Sequence, residues 1–398
     1  MKVLMINSVC GVGSTGKICV DALKALEENG HECRIAYGRK CAPDWLNNRV
    51  VRIGSPMGVR MHAFLSRIFD TSGFHSKWAT KKLIKWIKNY DPDVIHLHNL
   101  HGYYVNVEIL FDYLKTCGKK IVWTLHDCWA FTGHCSHFEC AGCDKWMTEC
   151  NACSQKKEYP KSSVFSRAKK NYYKKKKAFT GVPNLTVITP SKWLCDTTKK
   201  SFLSGYDIKV INNGIDLSVF KPTPSDFRKE NDLLDKFVVL GVADYFGERK
   251  GINDFIKLKD LLSDKYQLVL VGRVDDEKAL DGILHVKKTA TQIDLAKIYS
   301  SSDVFVNFTK EDTFPTVNTE ALACGTPVIT YKTGGAPEII DEGCGAKIEK
   351  GDLISFRDEI IKACEGKIYT AKACTDRAKA FDKDERTKEI LETVYFDL

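Results

Sequence analysis

The chain has 398 residues, 43% of them hydrophobic and 28% charged, with a net charge of +9; this is a soluble globular composition, too long for one small core, and length alone suggests two or three domains. No apolar run reaches the roughly 18 residues of a membrane span, and the opening MKVLMINSV suits a buried strand better than a signal peptide, so a cytoplasmic setting is expected. Sixteen cysteines without an export signal disfavour a disulfide framework, and six of them crowd between Cys128 and Cys153, which points to one metal site.

Lys2 to Val9 reads as a strand, and CGVGSTGKICVDALKALEENGHEC follows it. Ile18, Ala22, Leu23 and Leu26 recur at helical spacing, Asn29-Gly30 closes the helix, and Cys33 to Tyr37 is the next strand. Strand, glycine turn, helix and strand open a doubly wound sheet. Gly11 to Lys17 matches the phosphate cradle of P-loop NTPases, but Ile18 stands where Mg²⁺ needs a hydroxyl. Cys41 to Phe74 looks less regular. SKWATKKLIKWIKNYDPD predicts a helix ending before Pro92, Val94 to Leu97 a strand, Val107 to Lys115 a helix and Ile121 to Leu125 a strand. His96, His98 and His101 read as hydrogen-bonding residues near a strand end rather than metal ligands. His126 and Asp127 sit at the tip of the next strand, on the same sheet edge as the glycine turn.

In the insert HDCWAFTGHCSHFECAGCDKWMTECNACSQ, Cys140-x-x-Cys143 and Cys150-x-x-Cys153 have the knuckle spacing of a structural zinc site. Cys135, Cys128, His134 and His137 supply more ligands than one tetrahedral ion needs, and closely spaced thiolates leave no open position for catalysis. The basic excess is concentrated in Lys156 to Lys177; Lys169 to Lys177 makes a solvated helix face, or a surface for an anionic membrane.

Leu185 to Ile188 and Ile208 to Ile211 are further strands, and Pro222-Thr-Pro224 is the best linker candidate. Alternation restarts at Lys236, so a second doubly wound domain begins there. Its first turn carries Arg249-Lys250-Gly251, whose two cations suit a diphosphate. A strand from Val304 to Phe308 then empties into a loop with Glu311 and Asp312. A helix starts near Phe314-Pro315 and stops at Cys324-Gly325, bringing Asp312 and Glu320 to one helix N-terminus at the C-terminal edge of a parallel sheet. Open α/β sheets bind ligands at that edge, and helix N-termini favour phosphates.

These segments, in this order, resemble glycosyltransferase family 4, the retaining enzymes of the GT-B fold. Asp312 through Glu320 is similar to the family's E-x7-E element with Asp replacing the first Glu; PSKW, VINNGIDLSVFKP, RKG, SSSDVFVN and ALACGTPVITYKTGGAPE also resemble family segments. The resemblance implies α/β architecture with two Rossmann-like doubly wound domains and a cleft between them: 1–220 on the acceptor side, with a small Cys-rich insert at about 128–160, 221–383 for the nucleotide-sugar, and 384–398 as a helix returning to the first domain. It implies hexosyl transfer from a UDP-sugar or GDP-sugar with no catalytic metal. Lys250 and Arg249 would grip the diphosphate and Glu320 the ribose. Asp312 would sit by the donor sugar, with Phe314, Pro315, Thr316 and Val317 near sugar and phosphate. Gly13, Ser14, Thr15 and Gly16 would approach the donor from the first domain, and His126 would line the acceptor side. Tyr245 stands where the family has a further Arg. The insert is similar to a branch acting in bacterial capsule, exopolysaccharide or colanic-acid-type synthesis, which implies Cys135, Cys143, Cys150 and Cys153 as zinc ligands, a lipid-linked acceptor, and no nucleic acid. A P-loop NTPase and a zinc-knuckle nucleic-acid binder are the competing readings.

Overall fold

The computed structural model describes residues 1–396. The chain divides into two compact units, Met1–Asn212 with Asp384–Leu398, and Asn213–Lys383. In the first, β1 (Lys2–Asn7), β2 (Glu32–Tyr37), β3 (Val50–Arg52), β4 (Val94–Leu97), β5 (Lys120–Thr124), β6 (Leu185–Thr189) and β7 (Asp207–Val210) form one sheet. Its order is β3-β2-β1-β4-β5-β6-β7, and every neighbouring pair is parallel. Parallel neighbours require crossovers. These are α1 (Gly13–Glu28), the pair α2 (Pro56–Phe69) and α3 (Lys77–Tyr90), then α4 (Val107–Leu114), α5 (Ala168–Phe179) and α6 (Lys192–Lys199). β4 is buried along its whole length, as a strand covered by helices on both faces must be.

The second unit opens with α7 (Phe227–Glu230), then β8 (Phe237–Phe246), α8 (Ile252–Leu261), β9 (Tyr266–Val274), β10 (Leu284–Val286) and α9 (Gln292–Ser300). It continues with β11 (Val304–Asn307), α10 (Thr316–Ala323), β12 (Val328–Tyr331), β13 (Gly345–Ile348), α11 (Leu353–Glu365) and α12 (Ala371–Ala378). The six strands are again all parallel, in the order β10-β9-β8-β11-β12-β13. α9 begins with a capping box, the Thr291 hydroxyl and the Asp294 carboxylate satisfying each other's backbone amides.

The chain enters the second unit earlier than the Pro222–Pro224 segment suggests. Ile215 N donates to Phe381 O at 2.8 Å, Lys383 N donates to Ile215 O at 3.0 Å, and Phe220 is buried in the second core. These pairings bind residues 213–220 to the end of the same unit. After α13 (Lys383–Ile390) the chain is back in the first unit, where Leu391, Val394 and Tyr395 pack with Met5, Leu23 and Ile35.

The segment read as irregular, Cys41 to Phe74, contains β3 and the fourteen-residue α2. Ser55 caps that helix by accepting from Gly58 N at 3.1 Å, and Pro56 occupies its first position. Its pattern is mixed: the fully buried residues are His62 and Ser66, Met57, Met61 and Phe64 are exposed, and Val59, Leu65, Ile68 and Phe69 are half-buried, so apolar residues run round the helix and mark no single inner face.

The basic helix α5 also departs from the reading of its lysines as one solvated face. Lys169 pairs with Glu149 at 2.8 Å and Lys174 with Glu108 at 3.1 Å. Lys175 is buried: its ammonium donates to Trp129 O at 2.7 Å and Thr132 O at 3.1 Å and lies 3.5 Å from the centre of the Trp129 ring. Burial pulls its pKa down to about 7, against the pull of Cys150, Cys135, Asp70 and Asp127. This lysine ties α5 to the start of the cysteine insert. Lys175→Ala would orphan two buried carbonyls and open a cavity, a loss of about 2–4 kcal/mol that urea denaturation would register.

Two buried imidazoles make the first unit acid-sensitive. His62 accepts from Gly73 N at 3.2 Å through Nε2 and lies 2.8 Å from Ser76 Oγ through Nδ1. His96 lies 2.7 Å from Thr124 Oγ1 and 2.5 Å from Tyr395 Oη. Burial lowers both to about 3, assisted by His75 for the first and His126 for the second. Below pH 6.5 the unfolded chain takes up protons that the folded chain refuses, so stability is full above pH 6.5 and is lost as pH falls toward the folded values. Each histidine contributes a slope of up to about 1.4 kcal/mol per pH unit in that window. Thermal midpoints measured between pH 7 and pH 4 should fall, and less steeply in His96→Gln.

Candidate active site

Both sheets reverse their winding at one place. In the second unit β8 and β11 are neighbours, and the chain leaves them for opposite directions, so the loops after these strands diverge. Such a switch point is where doubly wound sheets open a ligand crevice. The loop after β8 carries Arg249, Lys250 and Gly251, and the loop after β11 carries Glu311 and Asp312.

The two loops are tied by side chains. Lys250 Nζ lies 2.5 Å from Asp312 Oδ2, with about a fifth of each side chain exposed. Asp312 Oδ1 accepts from Phe314 N at 3.2 Å, so both carboxylate oxygens are engaged. Arg249 donates to Glu311 O at 3.2 Å while Lys310 N donates to Arg249 O at 2.9 Å. Gly251 has φ +74, and a Cβ there would meet Phe308 Cβ at 2.3 Å. Gly334, at φ +52, lets its turn approach Asp312 O so closely that a Cβ would lie 1.8 Å from it, and Gly335 N donates to that oxygen at 3.0 Å. The TGG turn read from sequence therefore buttresses Asp312.

α10 starts at Thr316 after Pro315, with no side-chain cap on its first amides. Glu320 lies on this helix, and its Oε2 accepts from the buried Tyr299 hydroxyl at 3.1 Å. Burial first, then Glu320, raise the Tyr299 pKa far above the ordinary tyrosine value, so this phenol stays a donor. The structure thus brings Arg249, Lys250, Asp312 and Phe314 together through direct contacts, and holds Glu320 on the adjoining helix. Asn307, which the sequence reading passed over, ends β11. Its amide donates to Asn318 Oδ1 at 2.7 Å and its carbonyl accepts from Thr309 N at 3.0 Å. A polar residue closing an apolar strand was the available signal.

In the first unit the reversal falls between β1 and β4. Asn7 ends β1 and is fully buried; it donates to Val9 O at 2.9 Å and accepts from Asn99 N at 3.3 Å, linking the two diverging loops. Gly11 and Gly13 have positive φ, and Gly11 N donates to Gly16 O at 2.9 Å. α1 begins at Gly13 with no side-chain cap, and Gly13 and Ser14 are exposed. The helix therefore starts inside the G-x-x-x-x-G-K match and carries Lys17 on its exposed side, unlike a loop that wraps a phosphate ahead of its helix.

His126 follows β5 and belongs to a column of rings. His96 stacks on His98 with centroids 4.2 Å apart, and His98 stacks on His126 at 5.3 Å. His98 Nδ1 lies 3.0 Å from His126 Nε2, and Trp123 donates to His98 O at 3.1 Å. Beside them His101 Nε2 lies 2.7 Å from Asp127 Oδ2, and Asp127 Oδ1 accepts from Trp129 N at 2.9 Å. Burial lowers His126 to about 4, partly offset by Asp127, and burial with its two neighbouring rings lowers His98 much further. Asp127 falls to about 2 because His101 and the other donors outweigh its burial. His126 is therefore a neutral imidazole at neutral pH.

The four cysteines Cys135, Cys143, Cys150 and Cys153 lie within electrostatic reach of one another, and Cys150 Sγ accepts from Gly133 N at 3.1 Å. Among the described residues, no group of three or more His, Cys, Asp or Glu side chains is disposed to hold a metal ion. No described helix is long and apolar enough to cross a membrane.

The chain also matches known protein families along most of its length. Residues 223–381 match the model of glycosyl transferases group 1, and residues 15–219 match that of Glycosyltransferase Family 4. The chain is 24% identical over 386 residues to the putative colanic acid biosynthesis glycosyl transferase WcaC of Escherichia coli, covering 92% of this chain and 93% of that one. Among solved structures it resembles the sucrose-phosphate synthase of Thermosynechococcus elongatus at 19% identity, with a TM-score of 0.71 over 98% of both chains. It also resembles Anabaena Alr3699/HepE in complex with UDP-glucose at 17% identity, with a TM-score of 0.67 over 99% of both. These likenesses establish the GT-B fold, and the P-loop NTPase and nucleic-acid readings have no support beside them. The second family match spans just over half of the sequence: the chain belongs to glycosyltransferase family 4 and is a hexosyltransferase.

Proposed function

We propose that this enzyme moves a hexosyl unit, with retention of anomeric configuration, from a UDP-sugar or GDP-sugar to a lipid-linked acceptor in bacterial surface-polysaccharide synthesis. The observation that carries the reading is the Lys250–Asp312 pair across the switch point, beside the uncapped start of α10. A diphosphate entering there meets an ammonium, the Arg249 guanidinium and backbone amides, which together spread the charge of the departing nucleoside diphosphate. Lys250 then exchanges its carboxylate partner for phosphate oxygen. Asp312, with Oδ1 on the Phe314 amide, aims Lys250 and presents its remaining lone pairs to the donor sugar. That dual use suits a side chain one methylene shorter than Glu. Glu320 accepts the ribose hydroxyls, held by Tyr299. In the first unit, the Gly13, Ser14, Thr15 and Gly16 turn leaves its backbone open to close approach by a ligand, and His126, kept neutral, offers a hydrogen bond rather than a charge. Support for the nucleotide-sugar comes from the UDP-glucose bound by Alr3699/HepE, and for the acceptor class from the colanic acid assignment of WcaC.

Calorimetry would test the donor site. Lys250→Ala and Glu320→Ala should each weaken nucleotide-sugar binding roughly ten- to hundredfold by loss of charge-assisted hydrogen bonds, and Lys250→Ala should also lower kcat about 10²–10³-fold in a turnover assay. Full binding in both variants would remove the assignment.

The reading includes a structural zinc on Cys135, Cys143, Cys150 and Cys153. Its support is the Cys140-x-x-Cys143 and Cys150-x-x-Cys153 spacing, together with the mutual electrostatic reach of the four thiols. A bound zinc would hold these cysteines as the thiolates that burial alone disfavours. Elemental analysis of the purified protein should give one zinc per chain, and Cys150→Ser should lower it; a substoichiometric content would refute the site.

A further inference from the structure

Helices α2 and α3 present a surface that the first unit's core does not use. Met57, Met61 and Phe64, one stripe at i, i+4 and i+7, are 66%, 53% and 58% exposed, and Trp78 on the first turn of α3 is 87% exposed. Cations surround them: Arg60 and Arg67 on α2, and Lys77, Lys81, Lys82 and Lys85 on α3. The only acid between 56 and 90 is Asp70, which is buried, 2.5 Å from His134 Nδ1, and accepts from Arg167 N at 2.6 Å. A cavity of about 910 Å³ opens between these helices, with Val59, Leu65, Leu83 and Trp86 in its wall and Lys77 and Lys82 also lining it. An apolar stripe ringed by uncompensated cations matches the boundary between anionic headgroups and acyl chains. A second copy of the chain would set these cations against themselves.

We propose that the α2–α3 face docks this enzyme on an anionic bilayer, with Phe64, Met57, Met61 and Trp78 entering the acyl boundary, the lysines meeting lipid phosphate, and the cavity receiving one acyl chain. This assigns membrane contact to a different face from the Lys169–Lys177 run, two of whose lysines are in ion pairs and one of which is buried. The proposal deepens the reading of a lipid-linked acceptor and rests on it for its purpose, but not for its test.

Sedimentation with vesicles, without any nucleotide-sugar, decides it. The protein should bind equimolar phosphatidylcholine–phosphatidylglycerol vesicles and bind pure phosphatidylcholine far more weakly. Reversing two surface charges with Lys81→Glu and Lys82→Glu should weaken binding by at least about tenfold, as should Phe64→Ser with Trp78→Ser. Lys169→Glu with Lys170→Glu on α5 should leave binding unchanged. All three variants change exposed side chains, and unaltered circular dichroism would verify their folding. Wild-type binding by the α2–α3 variants, comparable loss in the α5 variant, no vesicle binding by the native protein, or dimerisation abolished by Phe64→Ser would each overturn the assignment. Donor binding measured without vesicles would stand or fall separately.

Discussion

A parallel sheet wound in both directions must leave two neighbouring strands whose chains depart to opposite sides, and the candidate site is built on the loops that this constraint separates. In the second unit the departing loops follow β8 and β11, and the Lys250–Asp312 pair joins them. The pair needs backbone that comes close on either side. Gly251, in the left-handed region, packs against Phe308, and Gly334 lies against the Asp312 carbonyl. Side chains there would strain the turns and displace the two charges. The start of α10, which carries no side-chain cap, lies at the same edge. The charged groups are therefore placed by turn geometry and not by their own attraction, which at partial exposure is modest.

The first unit solves the same geometrical problem with neutral groups. Asn7 joins the loops after β1 and β4, as Asn307 joins its loop to α10 in the second unit. Its histidines form a stacked column in which burial keeps the rings uncharged. The end of the column rests on Tyr395, contributed by the chain's return to this unit. His126 thus stands on a stack that reaches from the sheet edge to the last described helix.

The clearest failures of the linear reading are α2 and α5. Periodicity detects a helix by an apolar face turned inward, and α2 spreads apolar residues around its circumference while fully burying His62 and Ser66. A lysine-rich helix reads as solvated on every basic position, yet Lys175 is enclosed by two carbonyls and a tryptophan ring from a distant loop. In both, the partner that decides burial lies far away in sequence.

What the sequence determined by itself is local in origin: alternation of apolar strands and amphipathic helices, glycines where turns need positive φ, and cations and carboxylates at strand ends. Those features were enough for two doubly wound units and for placing Arg249, Lys250 and Asp312 on loops at one sheet edge, because each strand end in a parallel sheet delivers its loop to the same edge. Tertiary structure alone decided strand order, the pairing of Ile215 with Phe381 and Lys383 that moves the entry to the second unit, and the ring column under His126. It also decided which faces of α2 and α5 meet solvent. These depend on contacts between residues tens to hundreds of positions apart, where periodicity carries no information and only packing chooses.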